Sequence, residues 1–572
     1  MLAGSVLAQF ATIDIVIVFV YLIGIMVVGI LAGYRKGASS EQFFLAGKSL
    51  KWPMIGAALF TANISTIHLV GLSASGFSEG IVIGNFEWMA SFCLIVLSLI
   101  FVPFYLRTKL NTLPQFLEKR YSTTCRMIMA FIAIWSALLV HIGVSLYAGA
   151  KVFDYFFGIP VLYSIIIIAV VTAIYTILGG LKAIVVTDTI QAVLLLGGCI
   201  LLTVLGITKL PGAGIHSFAE LKAAAQPEQL SMVHSLRDAN GNFNEYSWLT
   251  VMIGYHVLGI WYWCTDQTIV QKVLGAKDMR NGQLGAMFAG CLKILPLFFM
   301  VFPGVIAYVL FKEQITDPND TLTVMIDKLL PPVLKGLFAA GLLAAVMSTV
   351  EAALNSTATV TAEDIVQHIW PKIKDRTLVL IGRITAGVVI VLAMIWSPYC
   401  DKFRNIFVVI NKVPMMFAPA ITTVFVLGVF WKRGTKQAAL ATFIVGLVVG
   451  LPYFLADLPR DVPVSQVQAA IDAGRVAPGK IVDGMVKNYE VVTHGLGIPF
   501  MMAGLILLCM CIGVYVITSL VTPAPTVEEL EKMGWKPPLR AITSTKVTGI
   551  TDPRVVAIGL FILMIVLYYL LR

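Results

Sequence analysis

The stretch Thr61-Ala62-Asn63-Ile64-Ser65-Thr66-Ile67-His68, with Gly71, Ser73, Ser75 and Gly76 behind it, puts small and polar residues through an apolar run at roughly 52 to 77. Inside a bilayer every backbone N–H and C=O needs a partner, so an interrupted helix persists only where protein or a water-filled cavity covers the break. A second run, 247 to 274, is interrupted in the same way by Gly254, Gly259 and the polar set Cys264-Thr265-Asp266-Gln267 ahead of Gln271. The two lie five segments apart, the separation expected of paired inverted repeats that each open on a broken helix. In the competing reading the small residues only allow close helix packing.

Around these breaks the chain is apolar throughout. Of 572 residues, 58% are hydrophobic and 13% charged, against about 25% charged in a soluble domain. About fourteen runs near the ~20 residues that span a hydrocarbon core succeed one another. An all-α integral membrane bundle is expected; the ~10-residue alternating segments of an outer-membrane barrel do not occur. Asp14 stands where a cleavable signal would be basic, so the first run reads as a retained helix.

Basic residues at Arg35/Lys36, Arg107/Lys109/Lys119/Arg120, Lys272/Lys277/Arg280, Lys372/Lys374/Arg376 and Lys432/Arg433/Lys436 share one side if the N-terminus is outside, and that side is expected to be cytoplasmic. Both termini then face out, in what reads as a bacterial inner membrane. These loops account for most of the net charge of +10, so no nucleic-acid partner is called for. The expected division is an extra helix and loop over 1–49, a first five-helix repeat over 50–207, an external loop over 208–246, a second repeat over 247–432, and additional helices over 433–572 with a cytoplasmic loop at 521–553. Cys93, Cys125, Cys199, Cys264, Cys291, Cys509 and Cys511 lack metal-ligand spacing and read as buried thiols.

Ionisable groups at membrane depth are costly and therefore mark function: Glu87, Asp188, Asp266, Lys293 and Glu351. Glu87 and Lys293 either pair or offer charge-assisted hydrogen bonds to the hydroxyls of a polyol. His68, Tyr262 and Trp263 would complete such a site, aromatic faces packing on the apolar faces of a sugar; each taken singly reads as a core residue. Ser348 and Thr349 present adjacent hydroxyls in an apolar helix and are expected to face the freed carbonyls of the first break, a ligand set suited to sodium. The competing reading is back-bonding to the preceding turn. There is no phosphate-cradling glycine loop, HExxH or nucleophile elbow, so neither an ATP-driven pump nor an enzyme is expected, and no organic cofactor.

Phe43-Phe44-Leu45-Ala46-Gly47-Lys48-Ser49-Leu50, Ala62-Asn63-Ile64-Ser65, Phe86-Glu87-Trp88, Gly179-Gly180-Leu181-Lys182-Ala183 with Thr187-Asp188, Trp261-Tyr262-Trp263-Cys264-Thr265-Asp266-Gln267, Phe302-Pro303-Gly304, Leu354-Asn355-Ser356-Thr357 and Phe430-Trp431-Lys432-Arg433 follow in order. Over about residues 40 to 435 the chain resembles the solute:sodium symporter family, in particular its sodium/glucose cotransporter branch. The resemblance implies the leucine-transporter fold, a 5+5 inverted repeat with about 14 transmembrane helices, and sodium-coupled import of a sugar-like solute by alternating access. It implies a substrate site of Asn63, His68, Glu87, Tyr262, Trp263 and Lys293, outer gates Leu72, Phe86 and Phe407, and Tyr262 as inner gate. The sodium ligands it implies are the carbonyls of Thr61, Ile64 and Ala345 and the hydroxyls of Ser348 and Thr349.

Three positions depart from that pattern. Asn411, followed by Lys412, stands where sugar-transporting members have Gln, which shortens a substrate contact and adds a charge. Gly259 removes a polar group one turn before Trp263. Glu351 replaces a hydroxyl and is expected near Asp188, as a second cation or proton site or in a salt bridge to a basic residue. The rival readings are a proton-coupled or uncoupled carrier of a sugar acid or polyol and, more distantly, a membrane solute sensor.

Overall fold

The first helix, α1 (Thr12–Gly33), turns Val20 and Leu31 outward and buries Asp14 completely. That carboxylate accepts the backbone N–H groups of Val333 at 2.7 Å and Gly336 at 2.8 Å. It thereby satisfies the unpaired first turn of a helix 319 residues away in sequence. The computed structural model describes residues 11–572 except 239, 403–405, 477–479, 533–541 and 543–546; at 67, 401–402, 406–410 and 531–532 only the backbone is described.

Among the described residues ten helices are long and apolar enough to cross a membrane, or eleven if the bent pair Trp52–Asn63 and His68–Ser78, inclined at 63°, is one span. The pair comprises α2 (Trp52–Asn63) and α3 (Thr66–Ser78). α4 (Asn85–Val96) runs on through a wide turn to Arg107, and α5 (Thr123–Ser136) likewise to Phe157. α6 (Val161–Lys209) has 49 residues, far more than one span needs, and is two helices meeting at Gly180. There φ is 61° and ψ −158°, and a Cβ would lie 2.4 Å from the carbonyl oxygen of Phe43, so only glycine fits.

The second half opens on α7 (Tyr255–Ile260), which continues to Thr265, and α8 (Gln267–Leu274). α9 (Met279–Leu292) and α10 (Phe302–Phe311) follow, and then α11 (Leu334–Thr359), buried along nearly its whole length. α12 (Asp375–Trp396), α13 (Ile406–Met415), α14 (Ala418–Phe430), α15 (Lys436–Ala456), α16 (Phe500–Val521) and α17 (Pro553–Leu570) follow. α11 lies against α1, α6 and α12, which makes it the axis of the bundle. Large apolar side chains such as Val193, Ile395 and Ile517 face outward, as lipid-facing helices require.

Between α15 and α16 sits a small cap that hydropathy does not reveal. Its strands β1 (Arg460–Pro463), β2 (Ile481–Val482) and β3 (Met485–Tyr489) form an antiparallel sheet in the order β1-β3-β2 over a core of Val467, Ala470, Val476, Val486 and Tyr489. Two of the cysteines expected to be buried, Cys291 and Cys509, are instead exposed on the bundle surface.

Candidate functional site

At the first break Ile64 (φ −80°, ψ 100°) and Ser65 (φ −97°, ψ 169°) are extended, which takes the preceding carbonyls out of the helical ladder. Side chains supply the missing partners. Thr349 Oγ1 lies 3.3 Å from the Ala62 carbonyl oxygen and 3.2 Å from that of Ala345. Thr66 donates to the Leu342 carbonyl at 2.8 Å, so α11 is laced to the break at two heights. Ser65 Oγ and His68 Nδ1, 3.0 Å apart, close the start of α3.

The second break falls at Asp266 (φ −83°, ψ 125°), whose carboxylate accepts the N–H of Thr268 at 2.7 Å and lies 3.4 Å from His141 Nε2. Tyr105 donates to the Cys264 carbonyl at 2.7 Å. Asp266 is thus a helix cap, not part of the cavity wall.

Between the breaks lies a cavity. Of the residues singled out in the sequence, Asn63, His68, Leu72, Phe86, Glu87, Tyr262, Thr349 and Asn411 line it. Lys293, 1% exposed, donates to both Asn63 Oδ1 and Glu87 Oε2 and so fixes two lining groups from behind. Trp263 does not form the lining; its ring lies 5.3 Å from Lys293 Nζ and edge-on to Tyr262, as a backing wall. The side chain of Phe407 lies outside the described residues.

Seven lining residues were not singled out as site residues: Val140, His141, Ser145, Tyr255, Leu258, Trp261, which stood only in a quoted motif, and Pro414. Tyr255, Leu258 and Tyr262 follow one helical face at i, i+3 and i+7, and His141 and Ser145 are one turn apart; helical spacing from Tyr262, and treating histidine like the other ionisable groups, would have found most of them. Gly259 is explained by Tyr255. A Cβ there would lie 2.6 Å from the Tyr255 ring and 2.7 Å from Cys93 Sγ, so a side chain and this tyrosine exclude each other.

The hydroxyl pair divides. Thr349 faces the break, whereas Ser348, expected to face the same carbonyls, donates to Asp188 Oδ1. Asp188 and Glu351 are both fully buried, and Thr187 Oγ1 lies 3.1 Å and 3.3 Å from the two Glu351 oxygens. Lys272, counted among the cytoplasmic loop residues from sequence, is 1% exposed inside α8 with its Nζ 3.9 Å from Asp188 Oδ2. It enters this group because α8 begins at Asp266 and is turned inward by the break.

Lys412 does not present its charge to the cavity. Its Nζ lies 2.8 Å from Asp457 Oδ2 and 2.9 Å from Glu490 Oε2, so it binds α13 to the cap. Asp457 also accepts from Val492 N, Thr493 N and Thr493 Oγ1 at 2.8, 3.0 and 2.9 Å. Burial raises the Glu490 carboxyl above its usual range and lowers the neighbouring His494 to about 4.

The profile described as "Sodium:solute symporter family" matches residues 43–446. The human sodium/myo-inositol cotransporter is 31% identical over 91% of this chain and 74% of its own length. Mouse sodium/glucose cotransporter 4 is 32% identical over 79% of this chain and 70% of its own, and rabbit sodium/glucose cotransporter 1 is 30% identical over 78% and 72%. Among solved structures, an outward-open sodium-coupled sialic acid symporter superposes with a TM-score of 0.73 at 19% identity, over 91% of this chain and all of that one. At that identity the likeness speaks for the fold, the leucine-transporter architecture of broken helices around a central cavity.

Proposed function

The chain belongs to the sodium:solute symporter family, and from that premise we propose that it imports a sugar or sugar-like polyol, drawn in with sodium by alternating access. It is a multi-pass membrane transporter and not an enzyme. The observation that carries the cation assignment is the approach of Thr349 Oγ1 to the Ala62 and Ala345 carbonyls, one helix position from Asn63 in the cavity wall. A sodium held by these oxygens, with the carbonyls of Thr61 and Ile64 and, once turned from Asp188, the hydroxyl of Ser348, would join α2 to α11 and shape the cavity that takes the solute. Substrate affinity then rises with sodium because one backbone break serves both ligands.

In this reading Asn63, Glu87 and Asn411 take the hydroxyls of the solute, His68 gives direction, and Phe86 and Tyr262 meet its apolar faces, with Lys293 donating to the Glu87 carboxylate from behind. Leu72 and Phe86 would close the cavity outward and Tyr262 inward. The relatives' names point to glucose-type sugars and inositol. An inward-negative potential contributes about 2.3 kcal/mol per charge per 100 mV and a tenfold sodium gradient about 1.4 kcal/mol, enough for accumulation of roughly a hundredfold or more.

The basic loops orient the chain with both termini and the cap outside, and residues 50–207 and 247–432 as the two repeats around the broken helices. A second cation or proton would belong to Asp188 and Glu351, because two adjoining buried carboxylates beside a single lysine leave one negative charge to neutralise. The test is uptake of labelled sugars, polyols and sugar acids into proteoliposomes under imposed sodium, proton or no gradient. Uphill uptake of a neutral sugar under sodium alone is expected, with sodium affinity weakened by Thr349→Ala; uptake independent of sodium, or an unchanged sodium dependence in Ser348→Ala/Thr349→Ala, would overturn the assignment.

A further inference from the structure

A second cavity lies away from the substrate site where α1 ends. Its walls include Arg35, Gln42, Ser49, Lys182 and Arg383, with Leu178 and Gly179 at the bend of α6. Three cations therefore converge on one space. No carboxylate lines it, and among the described residues none of the three has a carboxylate within ion-pair distance. The neighbouring Asp375 is turned to the N–H of Ser40 at 3.4 Å.

Convergence of like charges without a counter-charge is unfavourable unless an anion completes it. Arg383 is held in place: its guanidinium carbon lies 5.2 Å over the Phe43 ring, Nη2 donates to the Leu178 carbonyl at 3.2 Å, and Nε is buried without a partner among the described residues. An arginine fixed this way beside a second arginine and a lysine, with an amide and a hydroxyl on the same wall, suits a tetrahedral, multiply charged oxyanion better than a planar carboxylate.

We propose that the cavity lined by Arg35, Lys182 and Arg383 is a binding site for a phosphate group, carried either by an anionic phospholipid headgroup or by a soluble phosphate ester. The location gives such a ligand a purchase on transport. One wall is the turn Ala46–Ser49, which leads through Leu50 into α2; the other is the Gly180 bend, where the chain already passes against Phe43. Leu50 in turn exchanges backbone hydrogen bonds with Gly275 and Lys277 at 3.1 Å and 3.0 Å. An occupied cavity ties the entry to the first broken helix to the bend of α6 and to the end of α8.

The experiment uses the full chain, purified in detergent and then in phosphatidylcholine nanodiscs with or without phosphatidylglycerol. Binding is read by native mass spectrometry and by the thermal midpoint, with inorganic phosphate and glucose 6-phosphate as soluble probes. Arg35→Gln and Lys182→Gln, at half-buried or exposed side chains, should together weaken binding roughly tenfold or more while leaving the midpoint in pure phosphatidylcholine unchanged. Retention of phosphatidylglycerol by the wild-type chain alone supports the headgroup source; stabilisation by soluble phosphates in its place supports the soluble source. Binding of neither, or equal binding by the wild-type chain and by both the double variant and Arg35→Gln alone, overturns the proposal.

Discussion

Lys412 Nζ and Asp457 Oδ2, 2.8 Å apart, connect the helix that brings Asn411 into the cavity to the end of α15, where the cap begins. The lysine is 6% exposed and the aspartate 1%, so this pair is an internal joint between a cavity-lining helix and the cap. Removing one partner of a buried ion pair costs about 3–5 kcal/mol, because the other charge is left without compensation. Lys412→Gln is expected to lower the thermal midpoint strongly and to raise hydrogen exchange across 457–495. Lys412→Gln/Asp457→Asn should be less damaged than the sum of the single variants; additive losses in the double-mutant cycle would show that the two do not act as a pair.

The Glu87–Lys293 pair supports a similar cycle with a different readout. Lys293→Gln leaves Glu87 buried beside Asn63 and is expected to cost about 3–5 kcal/mol as well as uptake. Glu87→Gln/Lys293→Gln should regain stability but not transport, because the solute then loses its charged acceptor. Thermal unfolding and proteoliposome uptake measured together separate the two effects, and full uptake in the double variant would remove Glu87 from the substrate site.

Gly180→Ala tests the bend of α6. The substituent must enter a conformation that L-residues rarely adopt, and within 2.4 Å of the Phe43 carbonyl oxygen. Folded yield and midpoint should drop sharply, whereas Gly387→Ala, which meets nothing within 4 Å, should change neither. Equal behaviour of the two would mean that α6 does not need its bend.

The cap region also carries a pH signature. Burial and the neighbouring Glu490 push the Glu245 carboxyl up to about 7 from an ordinary 4.5. The native state therefore holds a proton that the unfolded chain has released, and stability falls as pH rises from about 4.5 through 7. Glu245→Gln should stabilise the protein at pH 8 relative to wild type, and that advantage should shrink between pH 7 and 4.5. His494, lowered to about 4, acts with the opposite sign, losing stability as pH falls from about 6.5, so the single variant is needed to isolate the Glu245 contribution. Melting curves at pH 8 and pH 5 decide this; a constant difference would refute it.

The breaks at Ile64–Ser65 and Asp266 were legible because polar and small residues in an apolar run have few explanations at membrane depth. The pairing of Lys293 with Glu87 was legible for the same reason: few charges are available, and each needs a partner. Tyr255 and Trp261 were not, since aromatic residues in an apolar helix look alike whether they face lipid, core or cavity. Lys272 was misassigned because charge near a run's end reads as loop, whereas here a break, not the membrane surface, precedes it. Lys412 was legible as an added charge but not as a joint, because Asp457 and Glu490 lie 45 and 78 residues further on, at the edges of a sheet too short to announce itself. Ser348 and Thr349 were seen as a unit, yet adjacent positions on a helix point about 100° apart and serve different neighbours.

Asp14 imposes an order on biogenesis. A carboxylate in the first span enters the membrane during synthesis, but two of the three N–H groups that satisfy it belong to Val333 and Gly336, at the start of the helix that bears Ser348 and Thr349. Until the ribosome has made those residues, this carboxylate has only the Ala11 N–H of its own helix start, 3.0 Å away, as a native partner. Docking of the N-terminal helix therefore waits on α11, and a chain truncated before residue 333 would leave this carboxylate without the two N–H groups it caps.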